Sequence, residues 1–134
     1  MDRLFLDANI LFSAAYNEGA DCASLWTLPD VELLSSGYAL EEARRNLAEQ
    51  RDPEPRLARL AALVPRVRLV GEPDLAALPA GVTLREKDVP ILTAAIAAGA
   101  THLITLDRRD FGPYMKKSIA GVMVLHPRSY IAYR

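Results

Sequence analysis

Short apolar runs at residues 4–6, 31–35, 67–70, 102–106 and 121–125 alternate with stretches of helical character along the whole chain. Strands that alternate with helices in this way specify a parallel sheet with helices on both faces. The breaks between the runs set the elements. Asn17-Glu18-Gly19 ends a helix expected over 9–16, and Asp21 is placed to cap a second short helix that Pro29 stops. Ser36-Gly37 reads as the turn after the second strand, before a long helix over 38–50. Pro55 opens the next helix, with Leu57, Leu60, Ala61 and Val64 at helical spacing. Residues 71–86, with Pro73, Pro79 and Gly81, read as a connecting loop holding one short helix. The Ala-rich stretch 88–98 is helical, with Pro90 in its first turn and Gly99 at its C-terminal end. A loop and short helix then lead to Ser118, and Pro127 starts a terminal helix. No repeat, low-complexity tract or long linker divides the chain, so one α/β domain spanning 1–134 is expected.

Composition narrows the function classes. At 134 residues, 51% of them hydrophobic, the chain can bury one core without disulfide staples. Its single cysteine, Cys22, excludes an intramolecular disulfide framework and a cysteine-based zinc site. Only His102 and His126 are available for a histidine site. No apolar stretch approaches ~18 residues, so no membrane span is expected. The N-terminus meets Asp7 after three apolar residues, which does not fit a signal peptide, so a reducing, cytoplasmic setting is expected. Net charge is −1, which gives no support to bulk electrostatic binding of nucleic acid. The charge is nevertheless blocky: residues 1–40 carry six acids and one base, residues 108–134 six bases and one acid.

The acids fall where an α/β sheet binds ligands, at the carboxyl ends of strands. Asp7 follows the first strand and Asp107 follows the strand ending at Leu106, so both belong to one edge of the sheet. If those strands are neighbours, about 4.8 Å apart, the two carboxylates can share a cation. Taken singly, each acid is more often a helix cap or a turn residue. Asp88 opens the Ala-rich helix, where an N-cap is the simplest role. Glu41 has Arg45 four residues on, the favourable ion-pair orientation. Glu42 has no such partner and lies nearer the buried stripe of Ala39, Leu40, Ala43 and Leu47, about 115° from its centre against about 145° for Glu41. Asp110 is either a fifth acid or part of a solvated turn. Such carboxylates repel one another unless a hard cation such as Mg²⁺ or Mn²⁺ is held among them. Spacing alone reaches a candidate acidic metal site.

Four pieces of sequence carry a resemblance: Leu6-Asp7-Ala8-Asn9-Ile10-Leu11, Glu42-Ala43-Arg44-Arg45-Asn46-Leu47, Asp88-Val89-Pro90-Ile91-Leu92-Thr93-Ala94-Ala95 and Leu103-Ile104-Thr105-Leu106-Asp107-Arg108-Arg109-Asp110-Phe111. In order and separation they resemble the PIN domain, the fold of VapC-type toxin ribonucleases and related nucleases, over nearly the whole chain. The resemblance implies a three-layer α/β/α sandwich with a central parallel sheet. It implies Asp7, Glu42, Asp88 and Asp107 as catalytic acids, with Asp7, Asp88 and Asp107 on Mg²⁺ or Mn²⁺. Asn9, Thr105 and Asp110 are implied in support, and the chemistry is hydrolysis of RNA by metal-activated water. Arg44, Arg45, Arg108 and Arg109 flank these acids and are expected to contact RNA phosphates, or else to be solvated ion pairs.

The leading expectation is the toxin of a type II toxin–antitoxin pair, with an antitoxin protein as partner. A stand-alone RNA-processing nuclease is the alternative within the same fold. A silent PIN-like module that binds RNA or protein is disfavoured by the four intact acids. A phosphotransfer receiver or related phosphatase ranks last, because Asp7-Ala8-Asn9 stands where such folds have a second acid. A homodimer is expected, with Leu25, Trp26, Leu28, Tyr130, Ile131 and Tyr133 compatible with its interface; packing of Trp26 on the protein's own sheet is the competing assignment.

Overall fold

The computed structural model describes residues 1–71 and 74–134. Six strands form one sheet: β1 (Asp2–Leu6), β2 (Val31–Ser36), β3 (Val67–Val70), β4 (His102–Ile104), β5 (Ser118–Ile119) and β6 (Val122–Leu125), in the order β3-β2-β1-β4-β6-β5. All pairs are parallel except β5 with β6. The strand β5 was not expected. Two residues are too few to show a periodicity, and their pairing is made by the reversal at Ala120 and Gly121, both at positive φ.

The helices are α1 (Ala8–Tyr16), α2 (Asp21–Ser24), α3 (Gly37–Ala48), α4 (Pro53–Leu63), α5 (Val89–Ala97) and α6 (Pro127–Ala132). Helices α1, α3 and α4 pack side by side on one face. The crossover from β3 to β4 runs in the opposite direction along the sheet, so its right-handed turn carries α5 to the other face. The layers are therefore α/β/α. Between them lie Leu4, Phe5, Leu6, Leu33, Leu34, Leu103, Ile104, Ile91 and Leu92, all at most 1% exposed. Near-continuous apolar strands of this kind belong to a sheet covered on both faces.

Several local expectations are corrected. Ser36 and Gly37 do not make a turn: Ser36 ends β2 and caps α3, its Oγ accepting the Ala39 N–H at 3.2 Å, so strand passes directly into helix. Ala20, not Asp21, precedes α2. Helix α4 begins at Pro53 rather than Pro55, because Asp52 takes a left-handed conformation that turns the chain early. Asp88 precedes α5 without a side-chain capping bond. Within 71–86 one 3₁₀ turn, Leu75–Ala77, is present; Pro73 lies outside the described residues. Gly99 adopts φ +68 and closes α5, the Ala100 N–H bonding back to the Ala95 carbonyl.

The expected interface aromatics are largely used internally. Leu25 is fully buried, and Trp26 donates its indole N–H to the Leu63 carbonyl at 3.0 Å, which ties the 3₁₀ turn Leu25–Thr27 to α4. Tyr130 is buried and donates to Asp2 at 2.6 Å, whereas Tyr133 is exposed. Among the described residues no helix is long and apolar enough to cross a membrane.

Candidate active site

Strand order reverses between β1 and β4, whose neighbouring carboxyl ends define the switch point of the sheet. Asp7 leaves β1 there, and the chain leaving β4 runs through Thr105 and Leu106 to Asp107. Asp88 arrives from the other layer, immediately before α5. Together with Ala8, Asn9, Phe12, Glu42, Asn46, Glu49, Gln50 and Lys87 they line a cavity of about 360 Å³.

Thr105 is the hub of the polar network. Its hydroxyl donates to Asp7 Oδ2 at 2.7 Å and accepts the Asp107 N–H at 3.0 Å, so one buried side chain orients two acids. Asn9 is the second brace. Its carbonyl oxygen accepts the Leu106 N–H at 3.1 Å, while its amide reaches Asp7 Oδ2 and Thr105 Oγ1 at 3.4 Å each. Asp7 is also a helix cap, its Oδ1 accepting the Ala8 N–H at 2.7 Å. Asp107 Oδ1 is taken by the N–H groups of Arg109 and Asp110, at 3.0 and 2.9 Å. That turn swings Asp110 back toward Asp88.

Asp88, Asp107 and Asp110 each offer an oxygen within 4.8 Å of the others. Burial first, then the neighbouring Asp110 carboxyl, raise the Asp88 carboxyl to about 7. Burial also raises Asp7 to about 6; Thr105 and Ala8 oppose the shift, and Glu42 and Asp107 add to it. Asp88 Oδ2 is enclosed and has no hydrogen-bond partner among the described residues. An orphaned carboxylate oxygen beside two further acids fits a hard divalent cation: the donors are all oxygen, and the unmet acceptor is what an ion satisfies.

The two glutamates separate. Glu42 faces the cavity, while Glu41 lies outside it and pairs with Arg44 at 2.7 Å, not with Arg45. None of Arg44, Arg45, Arg108 and Arg109 lines the acid cavity. Arg108 lines a second hollow with Lys116 and His126. The cation that does line the acid cavity is Lys87, next to Asp88 in sequence.

Sequence reasoning missed three further contributors. The Tyr38 hydroxyl donates to the Lys87 carbonyl at 3.0 Å and so fixes the residue before Asp88. Tyr38 stands one helical turn before Glu42, a spacing that signals a shared face. Tyr114 bonds both the N–H and the carbonyl of Thr83, at 2.7 and 3.1 Å, and Arg85 pairs with Asp110 at 3.5 Å. These contacts stitch the loop carrying Asp88 to the loop carrying Asp110. They join aperiodic segments, so no sequence pattern announces them.

No protein-family model matches the sequence, and no curated protein matches it significantly. Solved structures do. A chain of DNA-bound VapBC from Salmonella typhimurium is 19% identical, with a TM-score of 0.69, covering 95% of this chain and 99% of that one. A chain of VapBC2 from Rickettsia felis, bound to a DNA fragment from their promoter, is 17% identical with a TM-score of 0.66, covering 91% and 96%. Mycobacterium tuberculosis VapC20, described as a Sarcin-Ricin loop cleaving toxin, is 18% identical with a TM-score of 0.58, covering 82% and 94%. Likeness at these identities establishes a shared fold: the PIN-like α/β/α architecture is the fold of this chain.

Proposed function

We propose that the protein is a Mg²⁺- or Mn²⁺-dependent endoribonuclease and the toxin of a toxin–antitoxin pair. The observation that carries this reading is the convergence of Asp88, Asp107 and Asp110 within 4.8 Å, with Asp88 Oδ2 unpartnered, at the switch point of a VapC-like fold. Asp88 and Asp107 are the proposed primary ligands. Asp110 joins them as the fifth acid that the sequence left open, and Asp7, which the resemblance places on the metal, lines the same cavity as Asp88 and Asp107. The chemistry a divalent ion supplies when bound among such carboxylates is acidification of water and offset of charge on a phosphodiester.

The chain's own residues do the rest. Thr105 and Asn9 hold the Asp7 carboxylate and the backbone that carries Asp107, which is the positioning that metal affinity depends on. Glu42, on the α3 wall, is placed to accept a proton from attacking water. Lys87 is the cation placed to meet a substrate phosphate.

Purified protein is expected to cleave RNA with Mn²⁺ or Mg²⁺ and not with EDTA; cleavage that survives EDTA, or none with either ion, rejects the nuclease. The antitoxin reading is supported by neighbours that are VapBC complexes. A short reading frame beside this one, encoding a DNA-binding protein that co-purifies with the chain and blocks cleavage, is its test.

A further inference from the structure

Helices α1 and α3 both start at the carboxyl edge of the sheet and pack side by side, so the cavity between them runs outward from the acids. Along α1 the wall presents Asn9 and then Phe12, three residues on; along α3 it presents Glu42 and Asn46, four residues apart on one helical face, and Glu49 and Gln50 follow from the chain leaving α3. Asn46 is about 6 Å beyond Glu42 along the helix axis, and Gln50 lies past the end of α3. The outer part of the cavity therefore has one aromatic wall and one amide wall.

Two features bear on what fits there. The Phe12 ring is held by its neighbours: Tyr16 stacks on it at 5.4 Å with 17° between the planes, and the Arg56 guanidinium covers Tyr16 at 3.9 Å. A ring held this way loses little freedom when a planar group packs against it. Electrostatics excludes an anionic occupant from the outer part. Glu42 lies at the inner end and Glu49 at the outer, while Lys87 sits by Asp88, so a phosphate in the outer part meets carboxylates. Only the uncharged portion of a nucleotide fits. Gln50 donates to the Asn46 carbonyl at a stretched 3.4 Å, a bond that a better acceptor can displace.

From this groove we infer a nucleobase subsite beside the acids: Phe12 packs against one base of a single-stranded RNA, and the Asn46 and Gln50 side-chain amides read its edge. The strand is single because paired bases in an RNA helix do not offer an edge to such a wall. Base–aromatic packing supplies affinity for any base, and the paired donor and acceptor of an amide supply preference among them. The inference rests on the proposed nuclease reading and assigns the residues that select the substrate's cleavage position.

The test uses two arms on the full chain. In the first, randomised single-stranded oligoribonucleotides are cleaved with Mn²⁺ by the wild type, Asn46→Ala, Gln50→Ala and Phe12→Leu, the last chosen to remove the ring while keeping a bulky apolar side chain. The variants are expected to flatten the base preference beside the cut and to raise KM about fivefold or more. An unchanged preference with an unchanged KM overturns the subsite. In the second arm, binding of a short RNA is compared by fluorescence anisotropy with its abasic counterpart, without metal. Tighter binding of the intact RNA by wild type, lost in Phe12→Leu at an unchanged melting temperature, supports the subsite. Equal binding of both overturns it and points to a protein segment as the occupant. If the wild type cleaves no RNA, the nuclease reading falls on its own and the second arm still decides the subsite.

Discussion

Asp7 and Asp88 sit at 4% exposure among other acids, an environment that favours their protonated forms. Their folded pKa values, about 6 and about 7, lie above the ordinary 3.8, so the folded chain binds protons more tightly than the unfolded one. The stability this contributes is complete below about pH 4 and is lost as pH rises through 6 and 7, at about 1.4 kcal/mol per unit of separation. In EDTA the melting temperature is expected to fall from pH 5 to 7.5, and Asp88→Asn to flatten that fall. Mg²⁺ is expected to raise it more at pH 7.5 than at pH 5; a rise equal at both would mean the ion is not held by these carboxyls. For activity, Asp7→Asn, Asp88→Asn and Asp107→Asn each remove a charge and keep the shape, so cleavage should vanish while the circular dichroism spectrum holds. Glu42→Gln should be strongly impaired and Glu41→Gln nearly neutral; the reverse would move the role to the wrong side of α3. Thr105→Val and Asn9→Ala should lower metal affinity or activity about 10–100-fold, the usual cost of losing a group that orients a ligand.

At the scale of elements, the entry to α3 and the stitch between two loops make separate predictions. Ser36→Ala removes the α3 cap and should cost about 1 kcal/mol, read by urea unfolding with an unchanged m-value. Tyr114→Phe removes both bonds to Thr83 at an exposed position. It should leave the melting temperature nearly in place and weaken metal binding, because it frees the loop that sets Asp88 relative to Asp110. A loss of stability without a loss of metal affinity would make Tyr114 merely structural. The contrast marks what the sequence could reveal. Strand–helix alternation and acids at strand ends follow from local apolar patterning, so β1, β4 and the positions of Asp7 and Asp107 were legible. Glu42 was separable from Glu41 by helical angle alone. The role of Asp110 was not, since it depends on a turn closed by the Asp107 side chain. Ser36 was misread because a Ser-Gly pair suits a turn as well as a helix start, and only the register of β2 decides between them.

At the scale of the molecule, charge and assembly remain to be tried. Replacing Arg108 and Arg109 together should flatten the salt dependence of RNA binding, although neither lines the acid cavity; an unchanged slope would place both away from the RNA. A homodimer is proposed in solution, its surface moved by the burial of Leu25 and Tyr130 toward exposed residues such as Tyr133. Light scattering giving a monomer mass at tens of micromolar would reject it. The adjacency of β1 and β4 has a consequence in time. Asp7 and Thr105, 98 residues apart, share one hydrogen bond. At about 5–20 residues per second, a ribosome releases these two partners about 5–20 seconds apart. A nascent chain therefore carries its first acid long before the residues that complete the cluster exist. Topology thus leaves the acid cluster unassembled until the stretch from Thr105 to Asp110 has been made.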